Sequence, residues 1–211
     1  HAMGKVAFIG LGVIRYPMAG HLAKRGHEVT VYNRTQTKAE AWVAEHHGQY
    51  CKTPKAAAKG QEFVFVCVGN DDDLRQVVLG DTGILAGMAP GTILVDHTTA
   101  SANVAREIGA VAAPQGIGFL DAPVSGGQIG AENGVLTVMV GGDSATFAAA
   151  KPVIMSYARH VELLGDVGAG QLTKMVNQIC IAGVIQGLAE ALHFARSAGL
   201  DGEKVIQTIS K

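Results

Sequence analysis

Hydrophobic positions near the start of the chain fall into short runs separated by a glycine turn and a helical pattern. Residues 6–9 form an apolar run without alternation, which is typical of a parallel strand buried on both faces. The turn Gly10-Leu11-Gly12 follows, and apolar residues then recur at helical spacing until Gly26. Residues 29–32 form a second apolar run. Residues 5–35 therefore predict a strand, a glycine turn, a helix and another strand.

Strands and helices continue to alternate along the chain. Further strands are predicted at 63–68, 92–95, 136–140 and 161–164, and helices at 38–46, 54–59, 103–112 and 144–155. This alternation predicts right-handed crossovers and an α/β fold with a doubly wound parallel sheet. Ligands bind beyond the carboxyl ends of strands in such sheets, so the turns at Gly10, Asn33, Val68 and Thr99 are expected to line one cofactor-length groove.

A long apolar helix is predicted from residue 168 to residue 197. Gly199 ends it, and Asp201 is placed to cap a further helix. Glycine, glutamine and glutamate interrupt its most apolar stretch, residues 179–192. We therefore expect a buried helix rather than a membrane span.

Several polar residues at strand and helix ends have structural explanations. Asp71 is placed to cap the next helix, with two more aspartates in the first turn, and this is preferred to a metal site. Ser101 is predicted to cap the helix 103–112, and Gly48 to close the helix 38–46. His97 ends a strand and is interpreted as a polar lining residue rather than a general base.

The glycine turn at the start of the chain has the chemistry of an anion site. Unpaired amide groups at a helix N-terminus and the helix dipole both favour negative charge, and a dinucleotide pyrophosphate is the usual occupant. The usual motif is G-x-G-x-x-G, but Arg15 stands at its third glycine. The first two glycines keep the tight turn and the close approach of the pyrophosphate, whereas Arg15 endangers close packing of the helix on the strand.

The end of the second strand favours NADP over NAD. An acid at this position would bind the ribose 2′-hydroxyl, and the chain has Asn33 there instead. Arg34, Thr35 and Lys38 supply a guanidinium, a hydroxyl and an ammonium, which suit a phosphate dianion. The alternative is that Asn33 and Thr35 only turn and cap the chain, with Arg34 in solvent.

Composition and charge narrow the class of protein. The 211 residues are 48% hydrophobic and 17% charged, as in ordinary globular proteins, and a net charge of −1 gives no electrostatic case for nucleic acid or a membrane surface. The three cysteines are scattered without metal-ligand spacing, so we expect reduced thiols, no metal and a cytoplasmic location. Residues 1–3 are interpreted as a cloning remnant.

Two later segments carry candidate substrate chemistry. Ser125-Gly126-Gly127 offers small side chains and backbone donors that suit a carboxylate or carbonyl, although a plain glycine loop is the alternative. Lys174, Asn177 and Gln178 share one face of the long helix. A buried Lys174 would have a lowered pKa and could protonate a carbonyl oxygen. The alternative is that its amine simply extends to solvent.

Four motifs together resemble the β-hydroxyacid dehydrogenases, the family of 3-hydroxyisobutyrate dehydrogenase, tartronate semialdehyde reductase and glyoxylate/succinic semialdehyde reductase. They are FIGLG with PMAGHL (8–12 and 17–22), DAPVSGG (121–127), GVLTVMVGG (134–142) and GAGQLTKMVNQ (168–178), in the family order and across nearly the whole chain. Family members usually have Met-Gly where this chain has Ile14-Arg15. The NADP-preferring glyoxylate/succinic semialdehyde branch is the one that residues 33–38 resemble.

The resemblance implies a Rossmann-type domain and a role for each matching residue. Lys174 would be the catalytic general acid/base, with Ser125, Gly126 and Gly127 on the substrate carboxylate and with Asn177 and Gln178 positioning the reacting end. Cofactor contacts would come from Gly10, Leu11, Gly12, Ile14, Asn33, Arg34, Thr35, Lys38, Val68, Gly69 and Thr99. The implied reaction interconverts a small β-hydroxyacid and its semialdehyde by hydride transfer with nicotinamide.

The family pattern also predicts the domain organisation. Residues 4–166 would form the dinucleotide-binding domain, and residues 167–211 the long interdomain helix and the start of a C-terminal all-helical domain that is mostly absent. An uncovered apolar helix would expose a large patch, so we expect a homodimer or higher oligomer through residues 179–194.

Two functions are compatible with these features. The first is an NADP-dependent oxidoreductase acting on a small hydroxyacid or semialdehyde. The second is a cofactor-binding or dimerising fragment with little catalysis, because Arg15 and the missing domain impair the site.

Overall fold

The computed structural model describes residues 3–211, so residues 1 and 2 of the predicted cloning remnant lie outside the described residues. Within this range nine strands form one sheet. The strands are β1 (Lys5–Ile9), β2 (Glu28–Tyr32), β3 (Gln49–Tyr50), β4 (Phe63–Val66), β5 (Ile93–Asp96), β6 (Gly118–Asp121), β7 (Val124–Ser125), β8 (Leu136–Gly141) and β9 (Ala158–Gly165).

The first six strands form the parallel part of the sheet, in the order β3-β2-β1-β4-β5-β6. This is the strand order of a doubly wound dinucleotide-binding fold, so the predicted fold class is confirmed. Beyond β6, strand β8 runs antiparallel to both β6 and β7, and β9 pairs parallel with β8. The carboxyl ends of β1, β2, β4 and β5 consequently share one edge of the sheet.

Helices connect these strands and lie close to the predicted positions, except for two short helices at residues 84–87 and 127–132 that were not predicted. They are α1 (Arg15–Lys24), α2 (Gln36–His46), α3 (Pro54–Ala58), α4 (Asp71–Leu79), α5 (Ile84–Gly87), α6 (Ala102–Ala112), α7 (Gly127–Glu132), α8 (Ser144–Ile154), α9 (Ala169–Ser197) and α10 (Gly202–Ile209), with a short 3₁₀ helix at Ala113–Gln115.

The core lies on both faces of the sheet. Phe8 belongs to a buried cluster on one face, whereas its neighbours Ala7 and Ile9 belong to a cluster on the other. This explains the apolar run without alternation in β1, because successive side chains of a strand point to opposite faces. In the first cluster the fully buried Trp42 of α2 donates its indole N–H to the carbonyl oxygen of Tyr16 in α1 at 3.3 Å.

Two predicted helix ends are wrong by one residue. Asn70, not Asp71, caps α4, because its side chain accepts a hydrogen bond from the Asp73 amide and Asp71 is already helical. Asp71 instead accepts hydrogen bonds from the Ser101 hydroxyl and amide. At the end of α2 the left-handed residue is His47, with φ of 62°, rather than Gly48.

The predicted caps of α6 and α10 are confirmed. Ser101 accepts a hydrogen bond from the Val104 amide, and Asp201 accepts bonds from the amides of Glu203 and Lys204. Both caps therefore satisfy amide groups that the first helical turn leaves without partners.

The chain divides into two compact units, residues 3–174 and 175–211. The expectation that α9 is buried is wrong for its second-unit part, where Ala195 is the one buried residue among residues 175–197. By length and composition α9 could cross a membrane, which is weak evidence, and none of its most apolar window is buried. Within residues 175–211 the eight-residue α10 is the only other helix.

Candidate active site

A cavity of about 660 Å³ opens at the carboxyl ends of β1, β2 and β4. Eight predicted cofactor residues line it: Gly10, Gly12, Asn33, Arg34, Thr35, Lys38, Val68 and Gly69. The lining also includes residues to which the sequence assigned no contact: Ile9, Arg15, Tyr32, Pro54, Cys67, Asp73, Gln76, Val77 and Thr82. Leu11, Ile14 and Thr99 are predicted contacts that do not line it. The structure thus brings most of the predicted cofactor residues together.

The glycine turn between β1 and α1 is tight. Gly10 has φ of +97°, and a Cβ atom there would collide with the carbonyl oxygen of Cys67 on the neighbouring strand. The Leu11 amide donates to Asn33 Oδ1 at 3.0 Å, while the Leu11 side chain is buried in the core. Within residues 3–211 no hydrogen bond uses the amides of Val13 or Ile14. The turn therefore offers free amides at a helix N-terminus, the usual setting for an anion.

Arg15 folds back across this turn. Its Nη2 donates to the carbonyl oxygen of Val68 at 3.1 Å, and its Nη1 lies 3.0 Å from where a Cβ on Gly12 would be. The helix still packs on the sheet, with Met18 and Leu22 fully buried. Arg15 therefore does not separate α1 from β1, but its guanidinium lies in the cavity over the glycine turn.

Two cationic side chains, Arg34 and Lys38, follow β2, and the Asp73 carboxylate of α4 lies beside the first of them. Arg34 is largely exposed, and its Nη2 lies 3.5 Å from Asp73 Oδ1 of α4. Thr35 occupies the N-cap position of α2, but its hydroxyl makes no capping bond. Asn33 Nδ2 donates to the Thr35 carbonyl oxygen at 3.0 Å, so Asn33 shapes the turn. Lys38 also lines the cavity. The alternative in which Arg34 is only solvated is incomplete, since Arg34 is paired.

The loop after β5 is hydrogen-bonded to the turn at Val68. The Val68 amide donates to Thr98 Oγ1 at 3.1 Å, and the Thr98 amide donates to Asp96 Oδ1 at 2.9 Å. Asp96 is fully buried and its Oδ2 has no hydrogen-bond partner within the described chain. Burial raises the pKa of Asp96 to about 7, against the opposing effect of the hydrogen bonds from Thr98. Thr99 itself is exposed.

His97 is part of the core. Its Nδ1 donates to the Ala122 carbonyl oxygen at 2.6 Å, so its Nε2 accepts from the Tyr157 hydroxyl at 2.6 Å. Burial lowers the pKa of His97 to about 4. The ring is neutral at pH 7 and does not line the cavity, so the interpretation of His97 as a lining residue is wrong.

Lys174 lies in the first turns of α9, within the first unit. Its Nζ donates to the carbonyl oxygen of Val124 at 2.9 Å, one residue before Ser125. Desolvation by burial lowers the pKa of the Lys174 amine below its ordinary value. The alternative in which the amine extends freely into solvent does not describe this structure, because the amine is half-buried and bonded to the backbone.

Ser125 ends β7, Gly127 begins α7, and Gly126 joins the two elements, so residues 125–127 form the turn between them. Gly126 has φ of +129° and Gly127 has φ of +61°, and both are exposed. Only glycine adopts such angles in succession without strain, so the backbone of this loop is open to a ligand. Asn177 and Gln178 belong to the second unit, where Asn177 Nδ2 donates to Gln178 Oε1 at 3.3 Å.

Two buried polar residues, Asp121 and Gln171, received no role from the sequence. Asp121 ends β6, and its Oδ1 and Oδ2 accept hydrogen bonds from the amides of Gly168 and Gln171 at 2.7 and 2.9 Å. Gln171 is fully buried, and both ends of its side-chain amide are bonded to the loop after β5. A glutamine among apolar helix positions was the available signal. Among residues 3–211 no group of three or more His, Cys, Asp or Glu side chains could hold a metal ion.

Two family models match the chain. The NAD-binding domain of 6-phosphogluconate dehydrogenase matches residues 5–165, and the NAD-binding domain of NADP-dependent 3-hydroxyisobutyrate dehydrogenase matches residues 168–211. Together they span both compact units.

Similar proteins are named as oxidoreductases and as 3-hydroxyisobutyrate dehydrogenases. An uncharacterised oxidoreductase from Shewanella frigidimarina is 72% identical over 99% of this chain and 72% of its own length. The 3-hydroxyisobutyrate dehydrogenase of Pseudomonas aeruginosa is 38% identical over 94% of this chain and 66% of its own length. The solved structure of Mycobacterium tuberculosis 3-hydroxyisobutyrate dehydrogenase with L-serine superposes with a TM-score of 0.91 and 33% identity, over 99% of this chain and 70% of that one.

Proposed function

Because this chain belongs to the β-hydroxyacid dehydrogenase family of 3-hydroxyisobutyrate dehydrogenase, we propose that it reduces a small semialdehyde, and oxidises the matching β-hydroxyacid, with NADP. The observation that carries this proposal is the environment of Lys174. Its amine is half-buried, bonded to one carbonyl oxygen and placed beside the Ser125–Gly127 loop.

The residues of the cavity fit a dinucleotide. The turn at Gly10 is too tight for any side chain, and free amides at the start of α1 suit a pyrophosphate. Lys38 and Arg34 supply positive charge at the end of β2, where Asn33 stands in place of an acid. When bound, the nicotinamide cofactor supplies or accepts the hydride.

The chain's own residues handle the substrate and the proton. In reduction, the Lys174 ammonium donates a proton to the aldehyde oxygen as negative charge develops there, and in oxidation the neutral amine removes the hydroxyl proton. Burial favours this exchange because it lowers the pKa of Lys174 toward the working pH. The Ser125 hydroxyl and the open backbone of Gly126 and Gly127 bind the substrate carboxylate, and Asn177 and Gln178 orient the reacting end.

The test is an aldehyde-reduction assay on the full chain and on Lys174→Ala. Loss of a positioned general acid lowers turnover by about 10²- to 10⁴-fold, while NADPH affinity stays within about twofold of the parent, since Lys174 does not line the cavity. Lys151→Ala is the matched control, because this exposed lysine of α8 lies over the Phe147 ring, away from the site. Equal turnover in Lys174→Ala and Lys151→Ala would remove Lys174 from its role.

The second candidate function, dinucleotide binding with little catalysis, is favoured by one observation. The Arg15 guanidinium lies over the glycine turn and is bonded to Val68. Calorimetric binding of NADPH without measurable turnover in the parent, combined with turnover in Arg15→Gly, would support this function over the first.

The chain acts as a homodimer or higher oligomer, joined through α9. Large apolar side chains stay exposed along this helix: Ile179, Ile181, Val184, Ile185, Leu188 and Phe194. A contiguous apolar surface of this kind is typical of an interface. The free cysteines suit a reducing compartment, and the cytoplasm remains the proposed location.

A further inference from the structure

We propose that Gln171 is a positioning residue that fixes the first turn of α9, and with it Lys174, to the loop that supports the cofactor cavity. This proposal rests on the proposed function, since it gives Lys174 the role of proton donor. Gln171 does not line the cavity, and its side-chain hydrogen bonds go to Thr98 and Ala100.

The side-chain amide of Gln171 spans three consecutive residues of the loop after β5. Its Nε2 donates to the Thr98 carbonyl oxygen at 2.7 Å, and its Oε1 accepts from the Ala100 amide at 3.0 Å. Thr99, which lies between them, is exposed. Gln171 therefore holds the backbone on both sides of Thr99 while leaving its side chain free.

The backbone of the same turn is held from a second direction. Asp121 accepts hydrogen bonds from the amides of Gly168 and Gln171, and its fully buried carboxylate lies at the positive end of α9. Cβ atoms on Gly141 or Gly170 would come within 2.6 and 2.9 Å of Asp121 carboxylate oxygens. The first turn of α9 is thus fixed through its backbone by β6 and through one side chain by the loop after β5.

These two attachments connect Lys174 to the cavity. Lys174 lies one helical turn after Gln171, and its amine reaches Val124, three residues after Asp121. In the other direction Thr98 accepts from the Val68 amide, and Val68 lines the cavity. The chain of contacts from Lys174 to Val68 therefore passes through Gln171.

The two bonds require one donor and one acceptor at the end of this side chain. Glutamine donates and accepts in one plane, whereas methionine would leave the Thr98 carbonyl and the Ala100 amide unpaired. An ionised glutamate could accept from Ala100 but could not donate to Thr98. A protonated glutamate could do both.

The test compares Gln171→Met with Gln61→Met in the full chain. Gln61 is a matched control, because its amide also bridges two partners, Thr30 Oγ1 and the Ala57 carbonyl oxygen, outside the cavity. We expect Gln171→Met to lower single-turnover hydride transfer by about 10- to 100-fold, with the dissociation constant of NADPH changed much less. Gln61→Met should leave hydride transfer unchanged, because both bonds of Gln61 Nε2 lie outside the cavity.

Gln171→Glu supplies a readout that does not depend on the methionine variant folding. Its hydride-transfer rate relative to the parent should rise as the pH falls, because protonation restores the donor to Thr98. A flat ratio across pH, or equal hydride transfer in Gln171→Met and Gln61→Met, overturns the proposal.

The assay also separates this proposal from the proposed function. If Lys174→Ala is inactive and Gln171→Met is as active as its control, the positioning role alone fails. If the parent is inactive, or if Lys174→Ala retains full turnover, both fail.

Discussion

Replacing Arg15 by glycine changes the turn that receives the dinucleotide, and we expect tighter binding. The Arg15 guanidinium lies over Gly12 and is held by the Val68 carbonyl oxygen at 3.1 Å. A pyrophosphate that approaches the backbone of this turn has to displace it, since the second glycine of the motif exists to permit that approach. Displacing Arg15 therefore makes the free energy of dinucleotide binding less favourable in the parent than in Arg15→Gly.

The contacts of Arg15 set the size of this effect. A hydrogen bond with one charged partner contributes about 1.5 to 3 kcal/mol. Because Arg15 is partly exposed, this bond is assigned the lower value, about 1.5 kcal/mol. The attraction between an exposed guanidinium and the pyrophosphate would offset about 0.2 to 1 kcal/mol of that. The remainder corresponds to binding about two- to tenfold tighter in Arg15→Gly. NADPH and NADH should gain equally, because they share the pyrophosphate.

Isothermal titration calorimetry with both dinucleotides measures this directly. Arg15→Ala separates loss of the side chain from the added freedom of glycine, and Arg159→Ala on the exposed face of β9 removes the same charge outside the cavity. Weaker binding of both dinucleotides to Arg15→Gly, with Arg159→Ala unchanged, would refute the reasoning and make Arg15 a ligand of the pyrophosphate.

Three further measurements test other parts of the molecule. Asp73→Asn frees the Arg34 guanidinium, so NADPH should bind up to about fivefold tighter with NADH unchanged; an equal gain for both would show that Arg34 does not face the 2′-phosphate. Because burial raises the pKa of Asp96 from 3.8 to about 7, its contribution to stability is complete below about pH 4 and is lost as the pH rises through about 7. In urea unfolding, the stability of Asp96→Asn relative to the parent should therefore increase by up to about 4 kcal/mol between pH 4 and 7. An equal change in the free energy of unfolding of both proteins over this pH range would contradict this. Ile185→Asp should shift sedimentation toward the monomer, whereas an unchanged oligomer would exclude α9 as the interface.

The sequence predicted four strands of the parallel part, β1, β2, β4 and β5, because their signals are local, but it did not predict β6 as a strand. The apolar run at residues 63–68, of which residues 63–66 form β4, and the glycine turn at Gly10 are each recognised within a few positions. The cavity lies where those strands end. The two-residue strands β3 and β7 were missed because so short a segment has no period. The antiparallel pairing of β6 with β8 was also missed, since strand direction is set by the path of the chain.

The supporting contacts of the site could not be predicted from local patterns. Gln171 bonds to Thr98 and Ala100 across more than seventy positions, and Asp121 bonds to Gly168 across forty-seven. Such pairs become visible only when the sheet order is known. The apolar pattern alone predicted a buried α9, whereas the family pattern predicted the exposed patch at residues 179–194 that the structure shows.

The buried indole of Trp42 makes the two compact units optically distinguishable. Trp42 is the only tryptophan of the chain and lies inside residues 3–174, so its emission reports the unfolding of that unit alone. Far-ultraviolet circular dichroism also senses the 29-residue α9, most of which lies in residues 175–211. Two transitions that fail to coincide would therefore reveal units that melt separately. Trp42 also donates a hydrogen bond to the carbonyl oxygen of Tyr16, the residue after Arg15. Its fluorescence therefore reports movement at the start of α1 without an added label.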